Sequence, residues 1–416
     1  MTRRAGFLRR RSFPIFIACA LEIGACAGNP PVEPGVPVLR VESFAGNGDT
    51  TITGGGLAPT VRVTRDGVPA AGVAVRFNVV AGEGEVARHL VSTGPDGAAS
   101  TLWLLGPNAG VQRLVATVEA ESVEFSGTAR RPDDGTAYFA RNDFAEYVAG
   151  QLPIIISAGH GGNLQPSQIP DRTFGTTVQD LNTEDLARRI AAELQRLTGQ
   201  RPHLVISHLH RRKLDPNREI VEAAQGSVLA ENAWFEYHAF IETASRAVTR
   251  EHGGGFLLDV HGHGREIQRL ELGYLLSSSD LNQPDAILDE PRFAASSSIR
   301  KMGEISTLPF SAIVRGDLGL GSLLVARGYP AVPSASDPAP GSAPYFTGGY
   351  TTVRHGSRDG GSVDAIQLEA NREGVRDTAE NRQRFAEAMA EAILEHLSVH
   401  SANAPAASSV VLAGTP

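Results

Sequence analysis

Two apolar runs and one valine beyond residue 150 each lead into residues able to do chemistry. Ile154-Ile155-Ile156 runs into Ser157-Ala158-Gly159-His160-Gly161-Gly162. Phe256-Leu257-Leu258 runs into Asp259-Val260-His261-Gly262-His263, and Val363 opens Asp364-Ala365-Ile366-Gln367-Leu368-Glu369. Short continuous apolar runs are expected for central strands covered on both faces. In open α/β sheets, ligand-binding groups gather beyond the carboxyl ends of such strands. Two imidazoles from separate strand ends, with carboxylates nearby, are the ingredients of a metal site that keeps one position open for water. A single histidine of this kind is more often a hydrogen-bonded structural residue. Two of them, each beside a glycine that lets an ion or substrate approach the backbone, reverse that weighting and predict His160 and His261 as ligands of one ion.

The third ligand is expected from Asp180-Leu181-Asn182-Thr183-Glu184, which opens the next helix and offers two carboxylates. Asp180 is the first choice and Glu184 the second; the alternative is that Asp180 or Thr183 only caps the helix. Mixed N and O ligands suit zinc but also admit other divalent ions.

The elements that must position these groups follow from periodicity. Leu186, Ile190, Leu194 and Leu197 mark one face of a helix between the first two strands. A last helix is expected after Asp377, with Asp377 and Glu380 forming its cap and Phe385, Met389, Ile393 and Leu397 its buried stripe. The rhythm of strand, helix and strand over residues 131–398 predicts an α/β domain, with residues 399–416 a disordered tail. Residues 38–130 read differently. Alternating runs such as Val61/Val63 and Val73/Val75/Phe77/Val79 are broken by Arg65-Asp66-Gly67, Gly82-Glu83-Gly84 and Pro95-Asp96-Gly97. Period-two alternation with Gly and Asp turns predicts antiparallel strands in an all-β sandwich.

Two resemblances add to this. Val63 to Phe77, Thr93 to Ala99 and Leu104-Leu105-Gly106 resemble the bacterial immunoglobulin-like repeat of invasin-type surface proteins, which implies a stalk or adhesive module. In the second domain, several motifs occur in the order found in N-formylglutamate amidohydrolases. They are His160-Gly161-Gly162, Asp180 with Leu186, Arg211 through Asp215-Pro216-Asn217-Arg218, Tyr237-His238, Asp259-Val260-His261, the stretch Phe346 to Gly356, and Gln367-Leu368-Glu369. The likeness spans about residues 150–398. It implies a zinc-carboxypeptidase-like three-layer α/β fold of the phosphorylase/hydrolase kind, holding one zinc ion and cleaving an amide.

The same resemblance implies roles. Glu369 would be the general base and Arg218 the group that stabilises the oxyanion, with Asn217 and Arg354 binding substrate, Arg354 as a carboxylate clamp. Asn163 stands where carboxypeptidase-like sites carry a glutamate ligand three residues after the first histidine. His261-Gly262-His263-Gly264 and the loop at 330–345 also depart from relatives, and loops set substrate choice. A small N-acyl amino acid or peptide is therefore the expected substrate rather than formylglutamate itself.

At the amino end, five arginines precede an apolar stretch from Phe13 that closes on Ile23-Gly24-Ala25-Cys26. This resembles a lipoprotein signal over residues 1–25, with an anchor on Cys26 and a Pro-rich tether over 26–37; Arg10-Arg11-Ser12-Phe13 also resembles a twin-arginine signal. Pro14 and Glu22 interrupt a stretch shorter than the roughly 20 residues a spanning helix needs. An exported protein that touches the membrane only through lipid is expected. A net charge of −8 gives no basic excess for nucleic acid. A composition 41% apolar and 20% charged is ordinary for a globular chain. The competing expectation is a surface adhesin whose α/β domain has lost its chemistry. A serine hydrolase is disfavoured because the second domain lacks a Gly-x-Ser-x-Gly elbow.

Overall fold

The computed structural model describes residues 38–401 and residue 405. The expected signal, the tether and Cys26 lie outside the described residues.

Residues 39–130 form a β-sandwich. A five-stranded sheet runs in the order Asp49–Ile52, Glu121–Arg130, Gly110–Val118, Ala74–Ala81, Leu90–Ser92. It faces smaller sheets built on Leu39–Ala45, Thr60–Arg65 and Trp103–Leu104, and the alternating residues Val61, Val63, Val75, Phe77, Leu114 and Phe125 meet between them. The turn at Asp66-Gly67 shows why the sequence punctuates there. Both residues have positive φ (51° and 82°), and Arg65 pairs with Val68 across the turn. Asp tolerates that conformation and Gly adopts it freely.

The second domain is built on one eight-stranded sheet. Its elements in chain order are β1 (Ala137–Phe139), β2 (Ala145–Val148), β3 (Ile154–Ala158), α1 (Thr183–Thr198), β4 (His203–Ser207), α2 (Val228–His252), β5 (Gly255–Gly262), β6 (Leu270–Gly273), β7 (Ala331–Val332), β8 (Val363–Ala370) and α3 (Ala379–His400). The spatial order is β1-β2-β4-β3-β5-β8-β6-β7, and the central strands β4, β3, β5 and β8 are parallel. The chain leaves β3 for β4 on one side and then returns to place β5 on the other. Strand order therefore reverses between β3 and β5, the point where an open sheet leaves a crevice past its carboxyl ends.

Helices α1 and α3 cover one face of the sheet, where Leu186, Ile190, Phe385 and Ile393 pack on Ile154, Ile156, Leu258 and Val260. Helix α2 covers the other, with Tyr237, Phe240, Ile241, Ala244 and Val248 against Ile155, Leu257 and Ala365. The sandwich sits on part of its remaining surface. Ile52 joins the core beneath α2, Leu102 and Leu104 pack on Ala239, Thr243 donates its hydroxyl to the Thr53 carbonyl at 3.0 Å, and Arg88 pairs with Glu231 at 2.5 Å. The sandwich, expected from its resemblance to be a stalk, thus shares a core with the second domain.

Two expectations at the carboxyl end need correction. Thr378, not Asp377, caps α3, accepting from the Asn381 N–H at 3.0 Å, while Asp377 Oδ1 binds the Asn381 side chain. The helix also continues past residue 398, so the tail does not begin at 399. His400 is buried against His396, and both rings bond the Leu318 carbonyl. Val410, Val411 and Leu412 lie outside the described residues. No helix among the described residues is long and apolar enough to cross a membrane.

Candidate metal centre

The switch point between β3 and β5 is where the two histidines meet. His160 lies just past the end of β3, and His261 is the penultimate residue of β5. Asp180 arrives from the loop before α1. One ligand atom from each of the three lies within 4.8 Å of the others, and all three residues are buried. The closest approaches are His160 Nδ1 to His261 Nδ1 at 3.0 Å, His160 Nδ1 to Asp180 Oδ2 at 3.2 Å, and His261 Nδ1 to Asp180 Oδ2 at 3.3 Å.

The far sides of both rings explain what those atoms are. His160 Nε2 donates to Asp215 Oδ1 at 2.6 Å, and His261 Nε2 donates to Asp259 Oδ2 at 2.7 Å. A carboxylate accepts only, so each ring carries a proton on the outward Nε2 and turns its Nδ1 toward the shared point. Two imidazole nitrogens and a carboxylate oxygen thus converge on one buried point, a donor set that could hold a metal ion.

Strand periodicity supplies the rest of the wall. Asp259 and His261 share a face of β5, as Gln367 and Glu369 share a face of β8, and the register pairs Asp259 with Gln367 and His261 with Glu369. Ser157 on β3 donates to Asp259 Oδ1 at 2.6 Å, and Gln367 Nε2 donates to Glu369 Oε1 at 2.8 Å. Arg211 ties the outer carboxylate to the inner one, reaching Asp215 at 2.9 Å and Asp180 at 3.2 Å.

Burial and charge sort these carboxylates into two kinds. Burial pushes Asp215 up, but its pairing with His160 and the Arg211 and Arg218 cations more than offset it and hold it well below the usual carboxylate range. Asp259 is likewise held down, against its burial, by His261 and Ser157. Glu369 moves the other way. Burial, aided by the Asp180 charge, raises it to about 7 despite His261. The site therefore joins carboxylates fixed as anions to one carboxyl group poised to exchange a proton near neutrality.

No protein-family model matches the chain, and no curated protein matches it. Among solved structures, the chain is similar to the D00-D0 domain of intimin at 20% identity, covering 25% of this chain and 52% of that one with a TM-score of 0.20. It is also similar to the D0-D1 domain of intimin, at 16% identity over 29% and 56% of the two chains with a TM-score of 0.19. A third is the Yersinia pseudotuberculosis adhesin InvE, at 15% identity over 28% and 41% with a TM-score of 0.20. The chain spans about half the length of the two intimin structures.

His160, Asp180, His261, Glu369, Asn217 and Arg218 all line one cavity of about 150 Å³. Asn217 reaches it through the loop 215–218, where its side-chain Oδ1 accepts from the Thr351 N–H at 2.8 Å and its Nδ2 donates to Gln367 Oε1 at 3.3 Å. Arg218 bonds the Asn217 carbonyl at 2.7 Å and Glu222 at 3.3 Å. Two predicted residues stand elsewhere. Glu184 sits in the first turn of α1, where its carboxylate pairs with Arg188 one turn on at 3.0 Å, so it is outside the His–Asp–His group. Arg354 reaches Glu242 at 2.9 Å and lies over the Trp234 ring, which holds it away from the cavity and corrects its expected role as a clamp. Asp215, Asp259 and Arg211 were not assigned roles from sequence. Of these, the pattern Asp259-x-His261 was the available signal, because alternation puts both side chains on one face of a strand.

Proposed function

We propose that the second domain is a metal-dependent amide hydrolase, with zinc the best-matching ion, acting on an N-acyl amino acid or peptide, and that the protein is exported. The observation that carries this reading is the convergence of His160, Asp180 and His261 on one buried point in a cavity that Glu369 also lines. His160, Asp180 and His261 would hold the ion, and Asp215 and Asp259 would fix the two rings in the tautomer that binds it. When bound, a divalent ion acidifies water and polarises a carbonyl.

The remaining work belongs to the chain. Glu369, opposite His261 across the β5–β8 register, takes the proton of the attacking water and returns it to the leaving nitrogen. Arg218, held by Asn217 and Glu222 at the cavity wall, offers a fixed cation to the oxyanion, where one donor is typically worth about 3 kcal/mol. Asn217 lines the same cavity beside it. The arginine-led segment at residues 1–25, followed by Cys26, supports export.

The test is metal content and activity together. Purified protein is expected to bind about one zinc ion. Asp259→Asn is expected to weaken that binding by about ten- to a hundredfold. His261→Ala and Glu369→Ala are each expected to lower amide hydrolysis by more than about a hundredfold, Glu369→Ala without loss of the metal. Protein that takes up no divalent ion, or full activity in both variants, would remove the assignment.

A further inference from the structure

The 150 Å³ cavity does not end at the candidate metal centre. It opens into a cleft of about 460 Å³ that shares Thr176, Asp180, Arg211, Gly262 and Phe346 with it. A formylated amino acid would leave this outer space to water, so its lining bears on what the cleft is for.

One wall comes from residues 159–182, a connection with no helix or strand of its own. Connections of this length in a compact domain are usually functional. It carries His160 and Asp180, and it presents apolar side chains to solvent: Val178 is 73% exposed and Leu181 53%. Phe346, 37% exposed, stands among the same lining residues, with the Arg265 guanidinium 4.0 Å from its ring centre. Single exposed apolar residues are ordinary, but three around one cleft that opens on a reactive site form a surface for an apolar ligand.

The charges in the cleft are one-sided in an otherwise acidic protein. Arg211, Arg265, Arg372 and Arg376 line it, against Asp180 as its single carboxylate. Arg211 is committed to Asp180 and Asp215, and Arg376 spends its N–H groups on the Ala370, Leu181 and His263 carbonyls. Arg265 approaches Glu271 only to 3.6 Å, and its Nη1 is buried without a hydrogen-bond partner. The Arg372 guanidinium has no ion-pair partner among the described residues. Arg372, and Arg265 through the nitrogens other than the Nη1 that faces Glu271, leave guanidinium capacity for an anion with fork geometry, such as a carboxylate. An extended peptide finds fewer side-chain donors, because the one side-chain amide in the wall, Gln179, has its Nε2 committed to the Gly161 and Gly162 carbonyls.

We infer that the outer cleft is a binding site for an N-acyl amino acid with an acyl chain of several carbons, the chain lying on Val178, Leu181 and Phe346 and the carboxylate on Arg265 and Arg372. This rests on the amide-hydrolase reading for the reaction and extends it to the substrate. In that reaction the C–N bond breaks, the water oxygen goes to the acyl carbon, and the water proton passes through Glu369 to the nitrogen. The products are a fatty carboxylic acid and a free amino acid.

The experiment measures binding first and turnover second. N-octanoyl-L-glutamate, N-formyl-L-glutamate and an acidic tetrapeptide are titrated calorimetrically into the zinc-loaded full chain carrying Glu369→Gln, which blocks turnover. The octanoyl compound is expected to bind at least about tenfold more tightly than the formyl one, and Leu181→Asp or Arg372→Glu in the same background to weaken it by about tenfold. Both substitutions fall on exposed residues, and circular dichroism checks that the fold is kept. Equal affinity for the two acyl compounds, an insensitive octanoyl affinity in both variants, or preference for the tetrapeptide would overturn the assignment. Turnover by the unsubstituted protein separates the two readings. Octanoyl binding that the cleft variants weaken, without release of glutamate, would sink the hydrolase and keep the cleft; equal cleavage of both acyl compounds would do the reverse.

Discussion

At the scale of single residues, Glu369 and its neighbours differ by environment rather than by chemistry. Asp215 and Asp259 are each paired with an imidazolium-capable ring and stay ionised, while Glu369 sits beside Asp180 with one amide for company. Its carboxyl group moves from an ordinary 4.5 to about 7 because burial penalises the charge. The folded state therefore holds this proton more tightly than the unfolded chain does. The stabilisation this brings is complete below 4.5 and is lost as pH rises through about 7. Glu369→Gln keeps the shape and the bond from Gln367 without the buried charge. In metal-free protein, the variant is expected to unfold at a higher temperature than the parent at pH 8, with the gap closing by pH 5. Thermal unfolding across that range in the presence of a chelator measures it, and a gap independent of pH would show that Glu369 carries no raised pKa.

At the scale of elements, what the sequence made legible was whatever periodicity or strand ends encode. Alternation put Asp259 with His261 and Gln367 with Glu369 on common faces, and the rule for strand termini brought His160 and His261 together. What it hid were partners chosen by tertiary packing. Asp180 and Glu184 are equivalent in sequence, but the helix begins between them and sends Glu184 to Arg188 on its own surface. Arg354 looked free because Glu242 and Trp234 belong to α2, more than a hundred residues earlier. The docking of the sandwich was hidden for the same reason, since Ile52, Leu102 and Leu104 read as ordinary core residues of a β domain. Gly54 tests that contact. It has a φ of +74°, and a Cβ there would stand 2.1 Å from Thr243 Oγ1 and 3.1 Å from the Ala239 carbonyl on α2. Gly72 has the same φ with open space around it. Gly72→Ala is expected to cost the backbone term alone, about 1 kcal/mol, and Gly54→Ala a further 1–3 kcal/mol or so from the clash. Denaturant unfolding of the full chain compares them, and equal losses would mean that the interface yields freely.

At the scale of the whole molecule, α2 connects the sandwich to the candidate metal centre. At helical spacing, Tyr237, Ile241 and Ala244 face the sheet, while Glu236, Ala239 and Thr243 face the sandwich. A third set, Trp234 and His238, holds the loop that carries Asp215 and Asn217. Trp234 Nε1 donates to the Arg218 carbonyl at 3.0 Å, and His238 Nε2 donates to the Pro216 carbonyl at 3.0 Å while its Nδ1 meets His355 at 2.9 Å. The sandwich thus supports the helix from which the loop beside His160 hangs. A stalk and a supporting layer make opposite predictions for a chain lacking residues 38–130. If the sandwich only holds the α/β domain at a distance, the remainder keeps its unfolding midpoint and its affinity for divalent ions. If α2 needs the cover, the cut exposes Ala239 and Thr243, removes Ile52 from the core and leaves Glu231 without Arg88. We expect the second outcome: the intact protein unfolds in one transition, whereas the truncated one unfolds at lower denaturant and binds zinc at least about tenfold more weakly. Two separate transitions in the intact chain, the later one matching the truncated protein, would show that the layers are independent.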